Sequence, residues 1–567
     1  MEYIIGIGII IVIIYFVSKS TKKEVKPVYQ QPTEVPKIQE TPKAQFVLTD
    51  EFKDVLELLK NTEESLFITG KAGTGKSTLL RHFIKNTNKK IVILAPTGIA
   101  ALNVTGQTIH SFFRFPPNRI DLEKIQPDYV RTELFKNLQM VIIDEVSMVR
   151  SDLMAGIDIA LRKNRNRLNE PFGGVQMVFI GDLFQLPPVL KKIDEDYILK
   201  TYGGQYFFDA PVFSNFKYHF KELTTIFRQS NEQPEFKVML NNIRNNEVQF
   251  EDMALLNSRH KDNAGEQDGS IFLTTRRSIA RSINKDKLES LSGDKITYTG
   301  SLSGKYIKLR EEAEDKLEDK LPAPYKLELK KDAQIMMLKN DGGKRWVNGS
   351  IGKIEKLEPD SITVRINGSK YQIEKESWNE VEYVLNRETN EIEEKPIAGF
   401  TQFPVQLSYA MTIHKSQGKT FDKITVDVGT GAFAHGQIYV ALSRCRTLDG
   451  IILNNPIRNN DIIVDPKVIE YYNTKSISKT IESTTTSLED NELKNKLLGA
   501  IKNGEKIKIL YENLSGESSV RILSDIEISE EFREFGYDKQ HIKAFCHLRN
   551  EIRSFKIDRI KHIEMIK

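Results

Sequence analysis

Gly70-Lys71-Ala72-Gly73-Thr74-Gly75-Lys76-Ser77 fits the pattern G-x-x-x-x-G-K-[ST]. The apolar run Leu66-Phe67-Ile68 leads in as a buried strand, and Thr78-Leu79-Leu80-Arg81-His82-Phe83-Ile84 leads out as a helix. Gly70, Gly73 and Gly75 let backbone N–H groups close around phosphate oxygens, with Thr78 completing the first helical turn. Lys76 reaches the β- and γ-phosphates, and Ser77 offers its hydroxyl to magnesium. The stretch predicts a nucleotide site inside a strand–loop–helix unit. The rest of the chain says what that unit is for.

Downstream, Val141-Ile142-Ile143-Asp144-Glu145 delivers two adjacent carboxylates at the end of a strand. Asp144 is placed to hold magnesium and Glu145 to polarise an attacking water. An acidic pair after a buried strand also occurs as a plain helix start; the phosphate loop upstream favours the catalytic reading. Gly181-Asp182-Leu183-Phe184-Gln185-Leu186-Pro187-Pro188-Val189 puts Gln185 at another strand end, where it can read the γ-phosphate. A proline-rich turn alone would not need Asp182 and Gln185 at that spacing.

Strand-like apolar runs alternate with helical patterns from Phe46 to about Phe213, including Ile91–Leu94, Met140–Ile143 and Val175–Ile180. That alternation predicts a parallel α/β domain whose ligands gather at the carboxyl ends of the strands. A second α/β unit is expected over 218–285 and 400–472, after a first unit at 46–217. The region between, 286–399, alternates short strands and turns, as in Ser361–Gly368, and predicts a small inserted β-barrel. Ser476–Ser487 is Ser/Thr-rich and marks a linker at 473–491, before a last compact module at 492–567.

The 567 residues are too many for one core. Lys+Arg 82 against Asp+Glu 78 gives a formal charge of +4, so any nucleic-acid contact needs a local basic groove rather than a basic protein. With Cys445 and Cys546 as its two cysteines, the sequence holds neither a zinc cluster nor a disulfide framework. Tyr3–Val17 is apolar and uncharged, about 22 Å long as a helix against a hydrocarbon core of about 30 Å. Lys19, Lys22, Lys23 and Lys26 follow it, so the positive-inside rule predicts a single-pass membrane anchor at 1–18, with the catalytic part in the cytoplasm. Residues 19–45 read as a disordered tether.

Taken with Ala95-Pro96-Thr97-Gly98-Ile99-Ala100-Ala101 and Thr108-Ile109-His110-Ser111-Phe112, these segments resemble the Pif-type DNA helicases, relatives of RecD in superfamily one. Phe227-Arg228-Gln229 resembles that family's motif IV, Thr412–Phe421 its motif V, and Gln437–Arg444 its motif VI, in the family's order. The resemblance implies two RecA-like domains, ATP with magnesium, and movement 5′ to 3′ on single-stranded and duplex DNA. It implies that Arg228 and Arg444 reach the γ-phosphate from the second RecA-like domain. Thr97, His110, Phe112, Thr412, His414 and Ser416 are implied to line the single-strand path, although a histidine or phenylalanine at a strand end serves the core as readily. Trp346, in Arg345-Trp346-Val347-Asn348-Gly349, reads as packing in preference to base stacking. The family's adenine-reading glutamine has no counterpart: Phe52 stands in that register, which leaves selectivity for ATP open.

Lys508–Tyr511, Lys543–Arg549, Arg553–Phe555 and Asp558–Ile560 resemble a WYL domain, a small β-barrel, with Gln540, His541 and Ile542 in place of its naming tripeptide. Strand alternation would bring Arg549 and Arg553 together as a nucleic-acid or nucleotide contact; a barrel that only packs on the motor is the plainer reading. Function thus reads as an ATP-dependent DNA helicase. A membrane-tethered single-strand translocase, or a sensor with the WYL module as ligand input, remains the alternative.

Overall fold

The computed structural model describes residues 48–566 except 230–232, 263–268, 313–316, 319, 344, 430, 485–489, 514–517, 530–540 and 550, without side chains for 476–484, 490–492 and 494–495. Strands β1 (Leu66–Gly70), β2 (Ile91–Ala95), β3 (Gln107–Thr108), β4 (Met140–Ile143), β5 (Gln176–Ile180) and β6 (His219–Leu223) form one sheet, ordered β3-β2-β4-β5-β1-β6. Every pairing in it is parallel. β1, β4 and β5 are buried along their whole length. A parallel sheet is covered on both faces, so these strands are unbroken apolar runs rather than alternating ones. The phosphate loop, Pro96-Thr97, Asp144-Glu145 and Gly181-Asp182 all leave the same edge, the carboxyl ends of β1, β2, β4 and β5.

Four more parallel strands form the second sheet, in the spatial order Ala410–Thr412, Ile271–Thr274, Ile424–Asp427, Ile451–Leu453. One buried apolar cluster runs through both sheets, from Phe67 and Ile143 to Ile271 and Leu442. Two boundaries differ from the sequence reading. The strand at Phe220, expected to open the second unit, is β6 of the first sheet, with Phe67 opposite Phe220. Residues 400–402, expected to resume the second unit, instead end the strand Ile392–Gln402, which pairs with Glu376–Leu385 and Ser301–Gly304 of the insertion. An apolar run announces a strand; it does not say which sheet will take it.

The insertion also holds a five-stranded antiparallel sheet, ordered Ser369–Ile373, Ile362–Ile366, Ile351–Leu357, Gln334–Met337, Val405–Leu407. Its own core includes Ile335, Val364, Phe403 and Trp346, whose ring lies 5.4 Å from Tyr371. Trp346 therefore packs.

The last module is a second five-stranded antiparallel sheet, ordered Glu551–Lys556, His541–Cys546, Ser518–Ser529, Lys506–Glu512, Ile560–Ile566. Leu497 and Ala500 of the helix Asp490–Asn503 complete its core. Much of the expected linker is instead helix, Pro466–Thr484. Proline opens it, and the sequence as far as Thr484 carries neither glycine nor proline to end it.

The membrane placement does not stand. Among the described residues no helix is long and apolar enough to cross a membrane, and both Tyr3–Val17 and the tether 19–45 lie outside the described residues.

Candidate nucleotide cleft and nucleic-acid path

Gly70, Gly73 and Gly75 have φ of 155°, 86° and 82°. At Gly73 the left-handed backbone and the crowding act together, because a Cβ there would lie 2.4 Å from Cβ of Arg228. The loop ends in the helix Lys76–Lys85, which carries Ser77 and Thr78 in its first turn. Lys76 Nζ donates to the carbonyls of Gly70 (2.5 Å) and Lys71 (3.1 Å), and burial holds its pKa below the usual lysine range. Phe52 and Phe227 flank Gly75, with ring centroids 6.1 Å apart.

Asp144 donates its backbone N–H to the Leu94 carbonyl at 2.9 Å, which ties the end of β4 to β2. Burial first, then the neighbouring Glu145 charge, pushes the Asp144 carboxyl up to about 7. Glu145 sits at φ 51°, a left-handed conformation that a side chain rarely adopts. Burial raises its pKa too, while the nearby Lys76 and Arg444 charges favour the carboxylate. Gln185 donates Nε2 to Asp182 at 3.2 Å.

Arg444 is among the largest fully buried side chains. Its Nε donates to the Val440 carbonyl (2.9 Å) and its Nη2 to Ser443 Oγ (2.9 Å). Arg228 Nη1 and Gln229 Nε2 both donate to the Ser443 carbonyl, at 3.2 and 3.3 Å. Burial, then the Arg444 charge, lowers the Arg228 pKa to about 9. Contrary to the sequence reading, Arg228 does not come from the second sheet. It follows β6 in the segment joining the two units, and Phe227 N–H donates to the Gly73 carbonyl at 2.9 Å. The helix Gln437–Leu442 is buried at all six residues. It begins at Gly436, where a Cβ would lie 2.3 Å from the Phe184 carbonyl. Two groups escaped the sequence reading: Tyr439, inside a quoted motif but given no role, and Arg244, a charge on the apolar face of helix Pro234–Asn245. A cation on a buried helical stripe was the signal for the second.

The proposed path residues divide. Thr97 is exposed and caps the helix Gly98–Asn103, accepting from Ala100 N–H at 3.2 Å. His110 and His414 are half-buried, each with its pKa lowered by burial and then by an arginine, Arg150 and Arg277 respectively. Phe112 is a correction: it is 0% exposed and packs on Phe113, Phe135 and Tyr383, so it has no face for a base. Ser416 is also buried and spends its hydroxyl on the Ile413 carbonyl at 2.7 Å. Thr412 is buried and accepts from Lys415 N–H at 3.3 Å. In the last module Arg549 is exposed in the turn after Cys546, and Arg553 is exposed on the edge strand opposite Ala544, 3.5 Å from Glu551.

A phosphate loop, an acidic pair two strands away on the same sheet edge and two arginines brought in from beyond the first sheet define a phosphate-loop NTPase. Residues 47–254 match the description PIF1-like helicase, 381–481 Helicase, and 492–565 WYL domain. The ATP-dependent DNA helicase Pif1 of Bdellovibrio bacteriovorus is 32% identical, over 76% of this chain and 93% of its own. The crystal structure of Bacteroides sp. Pif1 with ADP-AlF4 is 38% identical, covering 77% of this chain and 98% of that one, with a TM-score of 0.69. Bacteroides Pif1 bound to single-stranded DNA has the same identity, covers 77% and 97%, and scores 0.54. The chain belongs to the Pif1-like helicase family and carries a WYL domain at its C-terminus.

Proposed function

We propose that this chain, an ATP-dependent DNA helicase by family, hydrolyses ATP between two RecA-like units and moves 5′ to 3′ along single-stranded DNA. The observation that carries the reading is the convergence of Arg228 and Arg444 on Ser443, in a cleft shared with Lys76 and Glu145. Lys76 exchanges two loop carbonyls for the β- and γ-phosphates. Glu145 orients the attacking water, with the Lys76 and Arg444 charges favouring its carboxylate against the effect of burial. Gln185 reads the γ-phosphate, and the two guanidiniums stabilise charge that develops in the transition state. Phe227, about half exposed beside Gly75, offers a ring to the base.

Magnesium fits the residues present. Ser77 Oγ and the Asp144 carboxylate are hard oxygen donors, and a divalent cation would favour the ionised Asp144 that burial and Glu145 disfavour. The ion would offset charge on the β- and γ-phosphates. Two protein oxygens suffice when phosphates supply the rest.

Thr97, His110 and His414 are the accessible members of the single-strand path. Phe112, Thr412 and Ser416 shape its walls from behind. The domain scheme follows the sheets: a first unit through β6, a second from Pro234 to Leu453 interrupted by the insertion, then the WYL module. The test is DNA-stimulated ATPase together with unwinding of 5′-tailed against 3′-tailed duplexes. Unwinding of the 3′-tailed substrate alone reverses the polarity.

A second reading makes the WYL module an input that gates the motor. The observation favouring it is the ion pair from Arg521 of its sheet to Glu470 of helix Pro466–Thr484, at 2.9 Å. Arg521→Ala lowers DNA stimulation of the ATPase under this reading, and leaves it unchanged if the module only packs.

A further inference from the structure

Arg244 and Tyr439 meet where the two α/β units touch. Arg244 lies on the face of helix Pro234–Asn245 that also buries Phe236, Leu240 and Ile243. Its side chain is 2% exposed, its guanidinium 4.0 Å above the Phe184 ring and 5.0 Å above the Tyr472 ring. Nη2 stands 3.4 Å from Asp182 Oδ1. Asp182 also faces Gln185 Nε2 at 3.2 Å and the Tyr439 hydroxyl at 3.4 Å. That hydroxyl accepts the Ala72 N–H, inside the phosphate loop, at 2.9 Å. One phenol therefore joins the loop to Asp182, and one carboxylate joins the phenol to Arg244.

Stability does not account for this arrangement. A buried ion pair is seldom more stabilising than apolar side chains of the same volume. Arg244 Nε has no partner among the described residues, whereas a buried polar group held for structure alone is normally satisfied. The network also crosses the cleft: Asp182 and Gln185 belong to the first unit, Arg244 and Tyr439 to the second. Ala72 N–H lies within the phosphate loop, so a shift of the loop around a bound phosphate changes its bond to the Tyr439 hydroxyl.

We infer that Tyr439 and Arg244 are positioning residues for hydrolysis, which report occupancy of the phosphate loop to the second unit through Asp182. The loop, shifting around phosphate, draws Ala72 from Tyr439; the freed hydroxyl then bonds Asp182 alone, and Asp182 resets its hold on Arg244 and the helix behind it. Neither residue touches a reacting atom. The inference rests on the cleft reading above.

The experiment is steady-state ATPase with and without single-stranded DNA, with ADP binding measured in the presence and absence of aluminium fluoride. The variants are Tyr439→Phe, Arg244→Lys, Asp182→Asn and the Arg244→Lys/Asp182→Asn pair. Tyr439→Phe frees Ala72 from the hydroxyl and removes no group that touches a reacting atom, so KM for ATP holds while DNA-stimulated kcat drops about tenfold, within the usual range of coupling between contacting groups. Arg244→Lys keeps the charge and loses the planar fork, and it weakens ADP–aluminium fluoride binding while sparing ADP. The double variant is no worse than the worse single one. Additive losses in the double variant overturn the inference, as does a kcat loss matched by equal losses in ADP binding and thermal midpoint. Should Arg244→Lys fail to fold, undiminished DNA stimulation in Tyr439→Phe overturns it. Lys76→Ala separates the two readings: if it hydrolyses normally the cleft itself is wrong, and if it is dead while the pair is additive only this inference falls.

Discussion

The nucleotide cleft and the C-terminal sheet both display arginines, and they use them differently. In the cleft Arg244 and Arg444 are buried and Arg228 half-buried, and each bonds named partners across or beside the phosphate loop. On the C-terminal module Arg549 and Arg553 stand exposed, Arg553 3.5 Å from Glu551. A guanidinium is taken out of water only where something offsets its desolvation, so each buried arginine is committed to its partners. Exposure marks nothing: an arginine on an edge strand is free to meet phosphate, a small anion or water.

The largest effect is expected where the comparison is sharpest. Lys76→Ala removes the charge partner of the γ-phosphate and should abolish hydrolysis. Glu145→Gln should keep ATP binding and lose turnover, because the water loses its orienting base. Near-normal DNA-stimulated ATPase in either variant would break the claim that the buried set is catalytic. Arg444→Ala comes next, with an expected cost of about 3 to 7 kcal/mol at the transition state and a much smaller change in ATP affinity. A loss confined to KM would move Arg444 to ground-state binding.

Smaller effects sharpen the boundary between core and path. Phe112→Ala should cost about 3 to 5 kcal/mol of stability, read by denaturant unfolding, because it empties a fully enclosed site. If the variant folds normally and loses only DNA affinity, the ring was a base contact after all. Asp144 gives a pH signature. Its carboxyl is raised in the folded protein from an ordinary 3.8 to about 7, so the folded state binds the extra proton between those values. Its contribution is fully present below about pH 3.8 and is lost as pH rises through 7. The thermal midpoint of the nucleotide-free protein should therefore fall between about pH 4 and 7 and level off above that, and fall less in Asp144→Asn. Equal slopes in the two proteins would remove burial as the cause.

How much of this was legible in the sequence depended on how narrowly the chemistry constrains a residue. Lys76, Asp144 and Glu145 were located by motif spacing and Arg444 by the family resemblance, and the structure brings the four near one another in one cleft. The strands β1, β4 and β5 were legible because sheets covered on both faces need unbroken apolar runs. Sheet membership was not: His219–Leu223 joins β1 through long-range pairing that its own composition does not encode. Nor was helix Pro466–Thr484, since Ser and Thr count as linker residues until a neighbouring Tyr471 is seen stacked on Phe208, 4.0 Å away. Half of the path set failed for a related reason. Ser416 and Thr412 carry hydroxyls that serve a DNA phosphate or a backbone partner equally well, and here backbone partners take them.

The smallest expected effect tests the exposed side of the comparison. If Arg549 and Arg553 contact phosphates, each releases counterions on binding, and the dependence of log K on log salt steepens by about 0.7 per contact for a single strand. Replacing both by alanine in the full-length chain should flatten that slope by roughly 1 to 1.5. Affinity at low salt should fall several-fold, with the cleft's ATPase constants unchanged at saturating DNA. The residues sit on a sheet with its own core of Ile507, Leu523 and Phe555, so their loss should leave the fold intact, which a matching thermal midpoint verifies. Fluorescence anisotropy across a salt series reads the slope directly. An unchanged slope would mean that exposure on this sheet carries no nucleic-acid contact. The module would then act on the motor through its packing on helix Pro466–Thr484, where Arg521 pairs with Glu470.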